Sequence, residues 1–349
     1  MFNKLSFLAL TISIFQLITF SKTAAAQEKK SEYRVINTIQ LDGSTRWDLL
    51  TYDLLNHRLF ITRGDSVDVL NTDNLKIIGS ITGLHGAHNV ALASELGKGF
   101  ITNGSTNNLT VFSLDTLKTL SIISTGTKPD VVVYDPKTQR VFVMNADSGD
   151  MTVIDASKGV VISTIKLGGK PEFALVDDLG QLYINLQDKA QIEKINTANL
   201  SNVSYYDLSP NCIEPTGLAI DIKENRLFST CANEVMLVVD ITTGRILKTL
   251  PIGYHSDAAA YDPKTKLAFS SNGDGTLTIV DASKFEDYRV IQNLITKPTA
   301  RTMALDEANH KIYLVAAETQ GIDPPNPQYP KPHPHIKPNT FTILVAGRK

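Results

Sequence analysis

The chain repeats itself with a period of about 42 residues, and this repeat restricts its possible folds more than any other feature. The pentapeptide Tyr-Asp-Pro-Lys-Thr at 134–138 recurs identically at 261–265. Each repeat contains a short apolar segment centred on an aromatic or small residue. These centres are Phe60, Phe100, Phe142, Tyr183, Phe228, Ala268 and Tyr313, with spacings of 40, 42, 41, 45, 40 and 45 residues. The sequence therefore predicts seven copies of one structural unit.

Each repeat predicts four short β-strands and no helix. In the third repeat, apolar or alternating segments at 131–134, 140–144, 151–155 and 160–167 are separated by turns rich in Pro, Gly, Asp and Asn. No window of helical length shows a 3.6-residue periodicity. A four-stranded unit with this period is typical of a propeller blade. We therefore expect an all-β, seven-bladed β-propeller with four-stranded antiparallel blades.

The two ends of the chain predict how the ring of blades closes. The seventh repeat ends with residues 340–345, which supply only a third strand. The N-terminal segment 33–42 alternates like the outer strands of other repeats, as a comparison of 34–39 with 160–165 shows. We expect this segment to complete the last blade, because closing the ring protects the sheet edges.

Residues 1–26 have the layout of a secretory signal peptide. Lys4 precedes an uncharged stretch of 16 residues, 5–20, and three alanines end the segment at Ala26. The alternative is an uncleaved membrane anchor, but the apolar stretch is shorter than the roughly 20 residues of a spanning helix. We expect cleavage after about Ala26, export to the periplasm or beyond the cell, and a single propeller domain over 27–349 without a membrane span.

The composition excludes several classes of protein. A formal net charge of −2 argues against a dedicated nucleic-acid binder, which is normally basic. Two cysteines are too few for an iron–sulfur protein, and the absence of Cys-x-x-Cys-His excludes covalent haem c. No nucleophile elbow, His-Glu-x-x-His, Walker or dinucleotide motif is present. We expect a monomer whose only indicated cofactor is a divalent metal.

Short segments that run from a strand into a turn resemble the YVTN motif. Examples are Gly-Phe-Ile-Thr-Asn at 99–103 and Val-Phe-Val-Met-Asn at 141–145. Over essentially all of 33–349, the chain resembles the YVTN-repeat (YncE-like) family of exported seven-bladed β-propellers. The resemblance implies the fold and export. It selects no activity, because the motif residues build strands and turns, and such propellers include ligand-binding proteins, lactonase-type enzymes and domains of periplasmic redox enzymes.

One column of the aligned repeats is polar throughout, five residues before the end of each first strand. In a propeller, the loops leading into the innermost strands surround the channel on one face. We expect a polar ring there, and the mixture of acids with one His and one Arg favours an asymmetric site for a small polar ligand or a cation. The alternative is that residues at this position are polar only because the start of a strand is exposed to solvent. The ring residues are Asp48, His88, Asp130, Glu172, Thr216, Asp257 and Arg301.

Histidines on the same face make the ring a candidate metal site. His88 and His255 lie in loops leading into inner strands, and His333 and His335 lie in the long turn of the seventh repeat. Imidazole and carboxylate ligands suit divalent cations. The spacing matches no known metal motif, so these four histidines are candidates for metal ligation and no ligand set is fixed.

Residues 318–340 hold seven of the fifteen prolines and predict an extended, polyproline-like loop in the last blade. One interpretation is a tolerated surface insertion. The other is a lid over the channel mouth, with Tyr329, His333 and His335 facing the ligand.

Cys212 and Cys231 both lie in the fifth repeat, on the ring face. Because export permits oxidation, we expect them to form a disulfide. The alternative is a pair of free thiols.

These features favour a ligand-binding or protein-interaction module that uses the polar ring, with a small polar ligand or a protein as its partner. The first alternative is a propeller enzyme, such as a lactonase-like hydrolase or a lyase that uses the same acids and histidines. The second is an accessory protein of a periplasmic redox system. No catalytic residue is assigned.

Overall fold

The described part of the chain consists almost entirely of β-strands. The computed structural model describes residues 1–2, 32–43, 46–325 and 332–348. Apart from Met1 and Phe2, the predicted signal peptide 1–26 lies outside them. All the strands belong to one unit, Glu32–Lys349. No helix among the described residues has the length and apolar character needed to cross a bilayer.

The bounds of the strands follow the repeat. They are β1 (Tyr33–Gln40), β2 (Leu50–Asp53), β3 (Arg58–Thr62), β4 (Gly64–Asn71), β5 (Lys76–Ala93), β6 (Lys98–Asn103), β7 (Asn108–Ser113), β8 (Thr119–Ser124), β9 (Pro129–Asp135), β10 (Arg140–Asn145), β11 (Asp150–Asp155), β12 (Val160–Lys166), β13 (Pro171–Val176), β14 (Gln181–Leu186), β15 (Gln191–Asn196), β16 (Val203–Asp207), β17 (Pro215–Asp221), β18 (Arg226–Cys231), β19 (Val235–Asp240), β20 (Ile246–Pro251), β21 (Ser256–Asp262), β22 (Leu267–Asn272), β23 (Thr276–Asp281), β24 (Arg289–Ile295), β25 (Met303–Asp306), β26 (Lys311–Ala316), β27 (Thr319–Asp323), β28 (His333–Ile336) and β29 (Thr342–Arg348). A single turn of 3₁₀ helix, Ser94–Leu96, lies among these described strands.

The strands form four-stranded antiparallel sheets, as the repeat predicts. Strands β9–β12, β13–β16, β17–β20 and β21–β24 each form one sheet in chain order. The last repeat forms a sheet in the order β1-β29-β26-β25, so the N-terminal strand pairs with the C-terminal strand. The expected all-β, antiparallel architecture is confirmed.

The first two repeats differ from the expectation of separate sheets. They share one seven-stranded sheet, β2 to β8, because β5 runs without a break from one repeat into the next. Its first half pairs with β4 and its second half with β6. Gly83 and Gly86, both at positive φ, lie between the two halves and allow the backbone to change direction there.

Packing between successive sheets explains why the middle strands are apolar on both faces. In β10, Val141, Phe142 and Val143 are fully buried. Phe142 packs in a cluster with Leu182 of the next repeat, whereas Val141 packs in a cluster with Phe100 of the preceding one. The outer strand β12 is largely exposed. Each sheet is therefore stabilised through both faces by its neighbours.

The same packing joins the last repeat to the first. Tyr313 and Val345 share an apolar cluster with Leu50. On its other face, the last sheet packs on the sixth repeat, where the ring of Tyr33 in β1 meets that of Phe269 edge-on, with the ring centroids 5.3 Å apart. The first strands contact one another in the order β2, β5, β9, β13, β17, β21 and β25, and β25 in turn contacts β2.

The proline-rich segment 318–340 is not the plain extended loop expected from its composition. Its two ends pair as an antiparallel hairpin of β27 and β28. Pro334 lies opposite Ile322 within this hairpin, which is an edge pair in which a missing N–H is tolerated. Tyr329 lies outside the described residues.

Cys212 and Cys231 are buried and joined by a disulfide, with their Cα atoms 5.5 Å apart. The bond links the segment before β17 to the end of β18. It therefore fixes one end of the innermost hairpin of the fifth repeat.

Replacing both cysteines, Cys212→Ala/Cys231→Ala, is expected to lower the free energy of unfolding by about 3 kcal/mol, because the loop that they close is free in the unfolded variant. Urea unfolding with and without a thiol reductant tests this. The reductant should destabilise the wild type and leave the double variant unchanged. A wild type whose cysteines are shown to be reduced, but whose unfolding midpoint is unaltered, would contradict the prediction.

Candidate functional site

Irregularities in strand pairing occur at five of the seven predicted ring residues. In the third repeat, Pro129 pairs with Asn145 and Val132 with Val143, so that Asp130 lies in a bulge. Bulges redirect a side chain and are common beside functional sites. The ring residues at such irregularities are His88, Asp130, Glu172, Thr216 and Asp257.

Hydrogen bonds between neighbouring repeats hold the backbone of the ring residues. Thr102 Oγ1 donates to the carbonyl of Asp130 at 2.7 Å. Thr302 Oγ1, in the last repeat, donates to the carbonyl of Asp48 in the first at 3.0 Å. These buried hydroxyl groups fix the ring side chains on a rigid frame.

Six of the seven predicted ring residues line one cavity of about 610 Å³. This volume is within the usual range for small-molecule sites. Trp47, Leu49, Val131 and Phe173 contribute apolar wall between the charged groups. The six ring residues are Asp48, His88, Asp130, Glu172, Asp257 and Arg301.

Thr216 is the predicted ring residue that does not line this cavity. It is 8% exposed, and its hydroxyl lies 2.9 Å from Thr230 Oγ1 and donates to the carbonyl of Ser256 at 2.9 Å. Because this hydroxyl forms a hydrogen bond to the next sheet, Thr216 stabilises the backbone around the site. Its prediction as a ligand-facing residue is not reproduced by this geometry.

His88 lies between two ring carboxylates. Its Nδ1 is 2.5 Å from Asp48 Oδ2 and 3.2 Å from Asp130 Oδ1. Burial lowers the pKa of His88, but the charges of Asp130 and Asp48 raise it more, to about 9. The imidazole therefore carries a proton at neutral pH. Burial raises the pKa of Asp48, but the hydrogen bond with His88 and the positive charges of His88, Arg301 and Arg46 together lower it further than burial raises it.

A second ion pair, formed by residues of the last two repeats, lines the same cavity. Arg301 Nη1 is 2.8 Å from Asp257 Oδ2. The charge of Asp257 raises the pKa of Arg301 further. Burial raises the pKa of Asp257, and Arg301 offsets only part of this effect. The guanidinium thus remains charged in the cavity wall.

Glu172 differs from the other ring acids because no hydrogen bond or ion pair to it is found among the described residues. Burial raises the pKa of its carboxyl, and the charges of Asp130 and Asp257 raise it further, to about 8. Glu172 is therefore mostly protonated at neutral pH. A protonated carboxyl in a polar cavity can donate a hydrogen bond to a ligand.

Three basic residues of the cavity were missed by sequence reasoning. Arg46, Lys128 and Lys170 line the cavity, each two positions before a ring residue. The signal was present in the sequence, because this column holds three basic residues in seven repeats. Lys170 Nζ donates to Gln187 Oε1 at 2.5 Å, and Lys128 Nζ lies 3.9 Å from Asp147 Oδ1. Basic side chains thus enter the cavity wall from the first, third and fourth repeats, with the carboxylate of Asp147 close to Lys128.

The four candidate metal histidines are not brought together. His88 lies in the carboxylate cluster, and His333 lines the same cavity. His255 is exposed, and its ring stacks on Tyr254 with centroids 3.7 Å apart. His335 Nδ1 is 3.0 Å from Asp323 Oδ1 in the β27–β28 hairpin. Among the described residues, Asp48, His88 and Asp130 are the one group of three side chains whose ligand atoms lie close enough together to share a metal ion.

Comparison with known proteins identifies the type of fold. No protein-family model and no curated protein matches the chain. Solved structures do match it. Hydrazine synthase from Kuenenia stuttgartiensis aligns with a TM-score of 0.69 at 14% identity, over 79% of this chain and 94% of that chain.

Two further matches extend over more of this chain. U3-55K aligns with a TM-score of 0.71 at 10% identity, over 89% of this chain and 98% of that chain. A chain of the mitotic checkpoint complex aligns with a TM-score of 0.70 at 12% identity, over 88% and 96% respectively. All three neighbours are β-propeller proteins. At these identities, the similarity supports a β-propeller fold and carries no activity to this chain.

The substitution Glu172→Gln is expected to make the protein more resistant to unfolding at alkaline pH. The pKa of Glu172 is about 8 in the folded chain, whereas the ordinary pKa of a glutamate side chain, which applies to the unfolded chain, is 4.5. Between these values the folded state binds the proton more tightly, so the wild type loses stability as pH rises. The variant lacks this loss, and its advantage should reach at least about 1.4 kcal/mol, the value of one pKa unit.

Urea unfolding at about pH 5 and about pH 9 measures this difference. Glu224→Gln, in the exposed turn between β17 and β18, is the control and should follow the wild type at both values. An advantage of Glu172→Gln that does not grow with pH would contradict the raised pKa.

Proposed function

We propose that this protein is an exported β-propeller of the YVTN type that binds a small polar ligand at the mouth of its central channel. The observation that carries the proposal is the convergence of six ionisable side chains, from six different repeats, on one cavity. A symmetric fold does not require such a mixture of charges. The similarity to β-propeller proteins supports the fold that carries this cavity.

The proposal includes seven blades closed into a ring. It is supported by the cyclic order of contacts between the first strands, in which β25 meets β2. It is also supported by the pairing of β1 with β29, which gives the last sheet its fourth strand. In such a ring, the residues at or just before the start of each first strand surround a common axis.

The charges of the cavity favour a ligand that carries an anionic group. Arg46, Lys128 and Lys170 line the cavity together with Arg301, whereas two of the ring carboxylates are already engaged by His88. Lysine and arginine side chains bind carboxylates and phosphates through charge-assisted hydrogen bonds. The protonated carboxyl of Glu172 adds a neutral donor for a hydroxyl or carbonyl group of the ligand.

The cost of Glu172 to stability also supports a functional site. A carboxyl whose pKa is raised by burial destabilises the folded state once it ionises. Residues that are unfavourable for stability are expected where binding or chemistry requires them. The other buried acids of the repeat turns have partners: Asp53, for example, binds Arg58 at 2.8 Å.

The ligand class is tested by thermal unfolding with a panel of dicarboxylates, sugar acids, amino acids, sugar phosphates and neutral sugars. We expect at least one anionic compound, and no neutral sugar, to raise the melting temperature of the wild type. Lys170→Gln and Arg301→Gln should each reduce the binding affinity about tenfold, since each removes a charge-assisted hydrogen bond. Lys223→Gln, on an exposed turn of the fifth repeat, is the matched control.

A wild type that responds to no compound, or a response unaltered in both cavity variants, would overturn this ligand assignment. If only neutral sugars raise the melting temperature, the proposal that the ligand carries an anionic group is rejected, whereas the proposal that the protein binds a small polar ligand is kept.

A propeller hydrolase or lyase is the second candidate function, and Glu172 is the observation that favours it. A carboxyl with a pKa near 8 retains a proton at neutral pH and is suited to act as a general acid. Incubation with a panel of lactones, followed by titration of the acid released, tests the hydrolase. Activity that is lost in Glu172→Gln and kept in Glu224→Gln would support it.

Export is supported by the disulfide between Cys212 and Cys231, because disulfides persist in oxidising compartments. We expect the mature protein to begin at Gln27 and to be recovered from the periplasm or the medium. Mass spectrometry of its N-terminal peptide after cell fractionation checks this. An intact N-terminus in the cytoplasmic fraction would contradict export.

A further inference from the structure

The cluster of Asp48, His88 and Asp130 has the ligand types and the spacing of a metal site. Its three facing atoms are Asp48 Oδ2, His88 Nδ1 and Asp130 Oδ1, and such donor atoms lie within 4.8 Å of one another. Ligand atoms about 2.0–2.2 Å from one ion are separated by about 3–4 Å, so small side-chain shifts are sufficient to close them around a cation.

The glycine at position 104 leaves the space that the imidazole occupies in this orientation. A Cβ atom on Gly104 would lie 2.6 Å from His88 Nε2 and 2.8 Å from its Cδ2. The edge of the ring with Nε2 is thus packed against backbone, and the opposite edge with Nδ1 faces the two carboxylates. Only a residue without a side chain permits this close approach.

The backbones of the two acids are held independently of any ion. The N–H of Asp48 donates to Thr62 Oγ1 at 3.1 Å, and the carbonyl of Asp130 accepts from Thr102. The three side chains come from three successive repeats, yet they are placed by the same frame. A set of ligands fixed in this way loses little conformational entropy when it binds an ion.

The remaining coordination positions face the cavity. The side chains of Asp48, His88 and Asp130 are 21%, 24% and 19% exposed, so one side of the cluster is open to water and ligand. Three protein ligands with an open position are typical of metal sites that bind or activate a small molecule. One imidazole nitrogen and two carboxylate oxygens suit Zn²⁺, Co²⁺ or Mn²⁺.

We propose that Asp48, His88 and Asp130 bind one divalent transition-metal ion, whose open positions accept the anionic group of the ligand. The second part rests on the proposed function, whereas the ion site stands on the geometry alone. Metal binding replaces the proton of His88, because only the neutral imidazole ligates. The ion also balances the two carboxylate charges, and Arg301 remains paired with Asp257 on another part of the wall.

The test uses mature protein without a histidine tag, stripped of metal by EDTA and titrated with Co²⁺ at about pH 8. Co²⁺ has visible absorption bands that report ligation by protein groups. It also quenches tryptophan, and Trp47, which is the only tryptophan, lines the cavity beside Asp48. We expect one equivalent of Co²⁺ to bind with both signals, and Zn²⁺ to displace it.

His88→Gln and Asp130→Asn should each weaken binding about tenfold or more, since the loss of even a supporting residue costs 10–100-fold. Asp147→Asn, which removes a cavity carboxylate with 56% exposure from outside the cluster, is the matched control and should bind as the wild type does. Circular dichroism and thermal unfolding verify that each variant is folded.

Absence of stoichiometric binding by the wild type, or equal binding by the folded cluster variants, would overturn the site and leave His88 as the centre of an ion pair. Repeating the ligand panel with and without EDTA separates the two proposals. Stabilisation that persists in EDTA would support ligand binding and reject the role of the ion in it. Metal binding without any response to the panel would support the ion and reject the proposed ligand class.

Discussion

The structure depends on the need of every sheet to be covered on both faces. Middle strands such as β10 are buried on either side, and they are stable only because the preceding and following repeats supply the apolar surfaces. A single repeat cannot satisfy this requirement, so the repeats stack. The requirement also explains why Leu50 of the first repeat packs with Tyr313 of the last.

This packing makes the start of each first strand available for function. The core of every repeat is fixed by apolar contacts, but the ring residues lie in bulges of the first strands or in the segments just before them. They contribute little to the core and are therefore free to differ between repeats. A scaffold of similar repeats thus carries four kinds of ionisable side chain, Asp, Glu, His and Arg, into one cavity.

The electrostatics of the cavity follow from that convergence. Side chains that would be unremarkable on an open surface become coupled when they share a partly dehydrated space. Burial and the neighbouring carboxylates Asp130 and Asp257 raise the pKa of Glu172, whereas the carboxylates around His88 overcome burial and raise the pKa of the imidazole. Both groups hold protons at neutral pH, so the cavity combines donors and charges of both signs at short range.

The sequence by itself determined the strands, their order and the polar column that holds Asp130 and Glu172, because strand periodicity and turn residues are local and repeat seven times. Only the tertiary structure decided which column members share a cavity. It placed His88 between two acids, turned the hydroxyl of Thr216 into the contact between two sheets, and brought Lys170 to the rim. The uninterrupted β5 and the β27–β28 hairpin were likewise hidden in the sequence. The placements of His88 and Thr216 depend on distances between residues far apart in the chain, which no local pattern encodes.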